Sequence, residues 1–311
     1  MALPACDDEE FIRLFSTIGA TETSKELGIS ERSVYLRRNR LEERLNRPIF
    51  APNNSPINFH PERCKLTIED GVVLVGSDAH YWPDVITTAH RAFVAFIKKL
   101  KPQAVVMNGD VFDGASISRH APIAWESRPS VEEEISSCTE RLSEIETAAA
   151  KARLVWTLGN HDARFESRLA QVAPEFANVH GLHLKDHFPN WLNGWSLMIN
   201  GDVMIKHRWK GGIHATHNNT LGAGLTMVTG HLHSLKVTPY ADYNGTRWGV
   251  DTGTLADTHG PQFRDYTEDN PRNWRSGFAV LTFQQSKLRW PEVVHVVEPG
   301  IVEFRGEVIE V

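Results

Sequence analysis

Val72-Val-Leu-Val-Gly-Ser-Asp-Ala-His80, Ala104-Val-Val-Met-Asn-Gly-Asp-Val-Phe-Asp113 and Arg153-Leu-Val-Trp-Thr-Leu-Gly-Asn-His-Asp162 share one plan. In each, a short apolar run leads into glycine and then into aspartate, asparagine or histidine. Runs of four to five apolar residues, too short for a helix and rich in β-branched side chains, read as buried strands. Between them, residues 86–100 carry Ala89, Phe93, Phe96 and Ile97 on one side and read as a helix. Residues 131–152 read as a second, long helix whose acidic start suits the macrodipole. Strands alternating with helices predict an α/β core. From residue 197 the expected strands crowd together (197–199, 203–206, 225–229, 236–240, 247–250, 278–283 and 293–297), so the second half is β-dominated.

Outward from these stretches, the composition is that of an ordinary globular chain. The 311 residues and 35.0 kDa suggest about two domains. At 41% apolar and 23% charged, the chain can bury a core without covalent staples. Cys6, Cys64 and Cys138 are scattered and odd in number, which predicts no disulfide framework, no zinc finger and a reducing compartment. The apolar runs are too short to cross a bilayer, and the opening residues lack a basic region followed by an apolar stretch. A cytoplasmic protein with no membrane partner is therefore expected. A net charge of −6 excludes a globally basic nucleic-acid binder and leaves room for a local basic patch. Histidine is abundant, at 15 residues.

Several of these histidines fall in an ordered series: Asp78-x-His80, Gly109-Asp110-x-x-Asp113, Gly159-Asn160-His161-Asp162, His207 and Gly230-His231-x-His233. Strand ends place such side chains in one crevice. In an extended segment residues i and i+2 point the same way, so Asp78 and His80 can grip one ion; the same argument applies to His231 and His233, although a loop can turn them toward different ions. A carboxylate has two oxygens, which suits Asp110 to bridging two cations. Glycines 109, 159 and 230 allow close backbone approach. The donors are nitrogen and oxygen with no thiolate, a set for manganese, iron, zinc or nickel.

The series, in this order and spanning residues 72–234, resembles that of the calcineurin-like metallophosphoesterase superfamily. The resemblance implies a two-sheet α/β/β/α sandwich with the site at one sheet edge and two divalent ions, manganese expected, with iron, zinc and nickel as alternatives. It implies Asp78, His80 and His233 as ligands of one ion, Asp110 as the bridge, and Asn160, His207 and His231 as ligands of the other. His161 is the implied catalytic histidine and Asp162 the residue that orients it, with Asp113 outside the ligand set. The implied reaction is phosphoester hydrolysis by a hydroxide shared between cations about 3.5–4 Å apart, with His161 protonating the departing oxygen. His207 is favoured over His180, His183, His187, His214 and His217 because it leaves the strand 203–206. No nucleotide-binding loop of the GxxxxGK type occurs.

For substrate contacts, Arg164, Arg119 and His120 are candidates, as are Tyr81 and Trp82 for stacking a base. Core packing is the competing reading of Trp82, and a surface salt bridge that of Arg164. The stretch 248–278, with Asp251-Thr-Gly-Thr-Leu and Asn273-Trp-Arg-Ser-Gly-Phe, is either an accessory loop over the site or a sheet-edge connection.

Residues 1–47 read as a small all-α unit. Phe11, Leu14, Phe15 and Ile18 repeat at helical spacing, a second helix is expected over 21–27, and a third over 31–45 with Ser30 as its cap and Val34, Leu41 and Leu45 on one face. Residues 25–40 resemble a helix-turn-helix, with Arg32, Arg37, Arg38 and Arg40 as candidate DNA contacts. Pro48, Pro52, Pro56 and Pro61 mark 48–65 as a linker, leaving 66–311 as the esterase domain. Such a head joined to an esterase resembles a phage or prophage arrangement, which would place the protein in the host cytoplasm. The leading expectation is a phosphodiesterase or nuclease acting on DNA, with the oligomeric state open. A phosphoesterase of small phosphoesters, cyclic nucleotides or phosphoproteins, with the head as a docking module, is the alternative. A DNA-binding regulator with an inactive esterase half is the third.

Overall fold

A computed structural model describes residues 6–45, 49, 51, 63–120, 125, 127–268, 270 and 272–311. The chain divides into two units, Met1–Pro61 and Glu62–Val311. The four linker prolines lie outside the described residues.

In the first unit, α1 (Asp8–Leu27) starts where the Asp7 carboxylate accepts the Glu10 amide at 2.8 Å. It is broken at Gly19, whose φ of 78° is not helical, so two helical stretches stand where two were expected. Gly28, at φ 61°, ends it in the left-handed conformation that glycine tolerates. Then α2 (Glu31–Leu45) begins after Ser30, whose hydroxyl accepts the Ser33 amide at 3.2 Å. Phe11, Phe15, Val34 and Leu41 form the core, whereas Ile18 and Leu45, expected on buried faces, are exposed. Two of the candidate DNA-contacting arginines are engaged within the unit. Arg37 bonds Asp8 at 2.8 Å and lies 4.6 Å over the Phe11 ring. Arg38 pairs with Glu42 and lies over Phe15 and Tyr35. Arg32 and Arg40 are exposed.

The second unit has the expected two-sheet α/β sandwich. Its strands are β1 (Arg63–Leu66), β2 (Gly71–Gly76), β3 (Ala104–Met107), β4 (Arg153–Thr157), β5 (Leu192–Gly194), β6 (Ser196–Ile199), β7 (Val203–Ile205), β8 (Thr226–Thr229), β9 (Lys236–Asp242), β10 (Gly245–Asp251), β11 (Gly277–Gln284), β12 (Lys287–Leu288), β13 (Glu292–Glu298), β14 (Ile301–Phe304) and β15 (Glu307–Glu310). One sheet runs β1-β6-β7-β8-β10-β9 and the other β15-β14-β13-β11-β2-β3-β4-β5, with β12 beside β11. β2, β3 and β4 are parallel, as are β7 and β8. Residues 63–65, expected as linker, are instead in β1, paired with β6.

Strand alternation divides the core into layers. Val73, Val75, Ala104, Val106 and Val155 face the other sheet and meet Leu197, Ile205, Val228 and Val250. Leu74, Val105, Met107 and Trp156 face away and pack with α3 (Thr88–Leu100) and α4 (Val131–Ala148). α3 starts two residues later than expected because the Thr87 hydroxyl caps it by accepting the His90 amide at 3.1 Å. α4 opens with a Ser130–Glu133 capping box and stops short of residue 152. The shorter helices are α5 (Asp162–Val172), α6 (Leu184–His187), α7 (Ala215–Ala223) and α8 (Arg264–Thr267). No described helix is long and apolar enough to cross a membrane.

Candidate metal centre

The C-terminal ends of β2, β3, β4, β7 and β8 deliver the polar series to one place. The loops after β2 and β3 are zipped together: Asp78 N donates to Gly109 O, and His80 N to Asp110 O, both at 2.9 Å. From the other sheet, Gly230 N donates to His207 O at 2.9 Å. Asp78, His80 and His233 bring one ligand atom each within mutual reach, and so do Asp110, His207 and His231. A third overlapping group, His80, Asp110 and His161, links them. His233 Nε2 is 3.0 Å from Asp78 Oδ1, and His207 Nε2 is 3.0 Å from Asp110 Oδ2.

The backbone is strained around these groups. Asp78, His80, Asp110, His231 and His233 all have φ between 40° and 70°. Non-glycine residues pay of order 1–3 kcal/mol each for such conformations, which persist only where surrounding structure enforces them. Two glycines show how tight the packing is. A Cβ on Gly159 would fall on Asp110 Oδ1, and one on Gly230 would strike Asp78 and Ser77.

The residues fit a pair of cations. His80 Nε2 and Asn160 Oδ1 are buried without a hydrogen-bond partner, an expensive arrangement unless something positive or proton-donating fills the gap. Burial alone would raise the pKa of Asp78, but His233 and His207 hold it down at about 2. Asp110 is likewise held well below its usual range, burial being outweighed by His207 and His161. His207 answers in kind: burial opposes its charge, yet Asp110 and Asp78 lift it to about 10. His231 moves the other way, to about 4, through burial and the His207 charge. Two buried carboxylates thus demand positive charge at this spot, and the N/O donor set suits divalent transition ions.

Around the ligands the structure corrects one sequence expectation. Asp162 does not back His161. Its carboxylate accepts five donors elsewhere: the amides of Asp110, Val111, Phe112 and Gly159, and Trp156 Nε1, at 2.7–3.0 Å. It is the splint that holds the β3 and β4 loops together. Asp113 takes the orienting position, with Oδ1 2.9 Å from His161 Nδ1 and 2.7 Å from His80 Nδ1. Glu134, on α4, fixes the following turn by accepting Gly114 N at 2.5 Å and Ala115 N at 2.9 Å. Burial, aided by Asp113, pushes the Glu134 pKa up to about 8.

The proposed stacking wall also moves. Tyr81 is buried in the core, its hydroxyl 3.0 Å from His90 Nδ1. Trp82 is half-buried and lines neither of the two hollows at the site. The aromatic wall is instead Phe263 and Trp274: Trp274 stands 4.2 Å from the His233 ring and Phe263 4.9 Å from that of His80. Trp274 lies in the stretch read as an accessory loop or an edge connection, and with Phe263 it lines the hollow at the ligand cluster. Asp251-Thr-Gly-Thr in the same stretch is scaffold, with Asp251 accepting Ser234 N and Thr254 Oγ1 donating to Asp78 O at 2.6 Å. Nothing in the local pattern of Phe263 signalled its place.

On the other flank, a cavity of about 640 Å³ opens beside Asn160, His161 and His231. It gathers Arg119, His120 and Arg164, all candidates from the sequence, with Arg168, Arg208 and Trp195, which were not. Arg164 reaches inward: Nη1 donates to Asp113 O at 2.9 Å and Nη2 lies 3.0 Å from His161 Nε2. The competing histidines lie elsewhere. His183 and His187 bond backbone carbonyls of Ala177 and Gly181, His217 packs on Tyr240, and His180 and His214 are exposed.

Comparison with known proteins follows this geometry. The family model "Calcineurin-like phosphoesterase" matches residues 71–272. No curated protein matches the chain. Similar solved structures include a dimetal phosphatase from Danio rerio (11% identity, covering 78% of this chain and 98% of that one, TM-score 0.40). Another is a protein serine/threonine phosphatase from Saccharomyces cerevisiae with similarity to human phosphatase PP5 (12%, 76% and 84%, TM-score 0.36). A third is Yfce, a phosphoesterase from E. coli (16%, 76% and 96%, TM-score 0.32). With the family match spanning well over half its length and the Asp, His and Asn side chains converging as described, the chain belongs to the calcineurin-like phosphoesterase family of metal-dependent hydrolases.

Proposed function

We propose that the protein is a phosphodiesterase acting on nucleic acid, DNA in the first instance. One observation carries this reading. In a chain of net charge −6, the cavity beside the metal centre is lined by Arg119, Arg164, Arg168 and Arg208 and, among its described lining residues, by no carboxylate. A single phosphate group needs one or two such cations, whereas four suit a substrate with several phosphates.

In this reading Asp78, His80 and His233 would hold one divalent ion, and Asn160, His207 and His231 the other, with Asp110 available to both. Manganese is the ion we assign first, with iron, zinc and nickel as alternatives that the same nitrogen and oxygen donors suit. Such ions supply Lewis acidity toward the phosphoryl oxygens and acidify water. The chain's own residues do the rest. Arg164 positions the phosphate from the cavity side, and Asp113 fixes the His161 ring. Water adds to phosphorus, the bond from phosphorus to the leaving oxygen breaks, His161 in its protonated form gives that oxygen a proton, and the proton shed by the water restores His161. The helical unit contributes DNA contact through Arg32 and Arg40, with Arg37 and Arg38 serving as internal struts.

The test is Mn²⁺-dependent hydrolysis of p-nitrophenyl phosphate, its bis diester, and single- and double-stranded DNA, with Asp110→Asn as control. Cleavage of DNA that disappears in the variant is expected. Turnover of the small esters with both DNA forms left intact would shift the assignment to small phosphoesters or phosphoproteins.

A further inference from the structure

The arginine cavity has a second feature that the hydrolysis of an isolated ester does not use. Trp195, in the corner between β5 and β6, lines the same cavity and is 41% exposed. A tryptophan left this open forfeits the burial that its large apolar surface offers, which makes it a candidate contact for a flat partner. Around it stand Arg168 on α5 and Arg208, the residue after His207, both exposed. Arg119 completes the rim, also exposed. The next residue after Arg208 is Trp209, 46% exposed, with Lys210 Nζ 5.2 Å above its ring. An exposed indole, Trp195, among exposed arginines is what a single nucleic-acid strand requires: charge for the backbone and a platform for an unstacked base.

Size points the same way. At about 640 Å³ the cavity falls among clefts that enclose one drug-sized ligand, about 300–1,000 Å³. That accommodates a nucleotide or two drawn out of a strand. A duplex keeps its bases stacked inside and presents no free face to Trp195.

Resting on the nuclease reading, we propose that the substrate enters as a single strand. The phosphate next to the scissile one lies among Arg119, Arg168 and Arg208, and the base beyond it stacks on Trp195. The minimal good substrate therefore carries a second phosphate beside the one hydrolysed.

The full-length protein, with Trp195→Ala, Trp195→Phe and Arg168→Ala variants, tests this in two ways. The first is Mn²⁺-dependent cleavage of one oligonucleotide as single strand and as blunt duplex, with bis(p-nitrophenyl) phosphate as the reference diester. The second is binding of fluorescent oligo-dT in EDTA, followed by anisotropy across salt concentrations. We expect the single strand to be cut at least tenfold faster than the duplex. Trp195→Ala should lower kcat/KM for the strand about tenfold more than for the reference diester, as loss of one stacked base implies, with Trp195→Phe recovering much of it. Arg168→Ala should flatten the slope of log K against log salt by about 0.7, one phosphate contact on a single strand. Equal cleavage of duplex and strand, or a Trp195→Ala effect no larger on the strand than on the reference diester, overturns the inference and leaves the nuclease reading standing. Turnover of the reference diester with no cleavage of either DNA form overturns the nuclease reading itself.

Discussion

His161 Nδ1 lies 2.9 Å from Asp113 Oδ1, while the neighbour of His161 in sequence, Asp162, spends its carboxylate on the amides of two loops. Two aspartates near one histidine thus have separate duties, one in positioning and one in building. Their variants should separate accordingly. Asp113→Asn should lower kcat/KM for bis(p-nitrophenyl) phosphate by about 10–100-fold, the usual cost of losing a partner that orients an active-site imidazole, with a small change in melting temperature. Asp162→Asn should instead destabilise by about 2–3 kcal/mol, because an amide NH₂ would face buried backbone donors. Thermal unfolding and kinetics on both variants check this; a melting loss larger for Asp113→Asn than for Asp162→Asn would sink the division.

Gly159→Ala probes the approach of the β4 loop to the bridging carboxylate. The new methyl group would fall on Asp110 Oδ1, the atom that also accepts the His161 amide at 2.8 Å. Displacement of Asp110 would remove the carboxylate that we propose bridges the two ions. The variant should retain less than about half the wild-type metal after dialysis, since losing a ligand or its support typically costs 10–100-fold in affinity. Inductively coupled plasma mass spectrometry reads it directly, and full metal occupancy would contradict the assignment of Asp110 as bridge.

The α/β sandwich and the ligand series were legible because both rest on short-range periodicity. Apolar runs that alternate between two buried faces, followed by Gly-Asp, Gly-Asn-His or Gly-His-x-His, leave little freedom about where the polar residues emerge. The orienting partner of His161 was misread because adjacency in sequence says nothing about which side chain returns to the ring: α5 begins at Asp162, and its first turn points the carboxylate into the β3 loop. Phe263 and Trp274 come from a segment with no periodicity, and only the fold brings them over His80 and His233. Arg168 and Arg208 are exposed residues on unrelated elements, so their convergence on one cavity leaves no trace in the pattern. Arg37, a candidate DNA contact from the sequence, instead turns its guanidinium over the Phe11 ring, a tertiary contact that local spacing does not announce.

Away from the metal centre, His90 gives a pH signature. It is buried, with Tyr81 Oη at 3.0 Å and Glu144 at 2.8 Å on its two ring nitrogens. Burial lowers its pKa below the ordinary value in spite of Glu144. In the unfolded chain it titrates near 6.5. Below that pH the unfolded state therefore binds more protons than the folded one, and the His90 contribution, fully present above 6.5, is lost as pH falls toward the folded pKa. Urea midpoints of metal-free protein at pH 7.5 and 5.5 should fall further for wild type than for His90→Gln, by up to about 1 kcal/mol in stability. An identical decline in both proteins would place the titration elsewhere.

The arginines of the helical unit should divide into struts and contacts. Arg37 is held by Asp8 and the Phe11 face, so Arg37→Ala removes a cation–π contact of about 1 kcal/mol and lowers the stability of Met1–Pro61. Arg32 and Arg40 are exposed on α2 and free of that duty, so alanine there should leave melting unchanged. If α2 touches DNA as we propose, each of these two variants should weaken duplex binding at low salt and reduce the slope of log K against log salt by about 0.9. Anisotropy titrations of a duplex at several salt concentrations, run on the full chain with Arg37→Ala alongside, measure both effects. Should Arg32→Ala and Arg40→Ala bind duplex with the wild-type slope, the unit docks something other than DNA, and the basic excess of α2 is a solvated face.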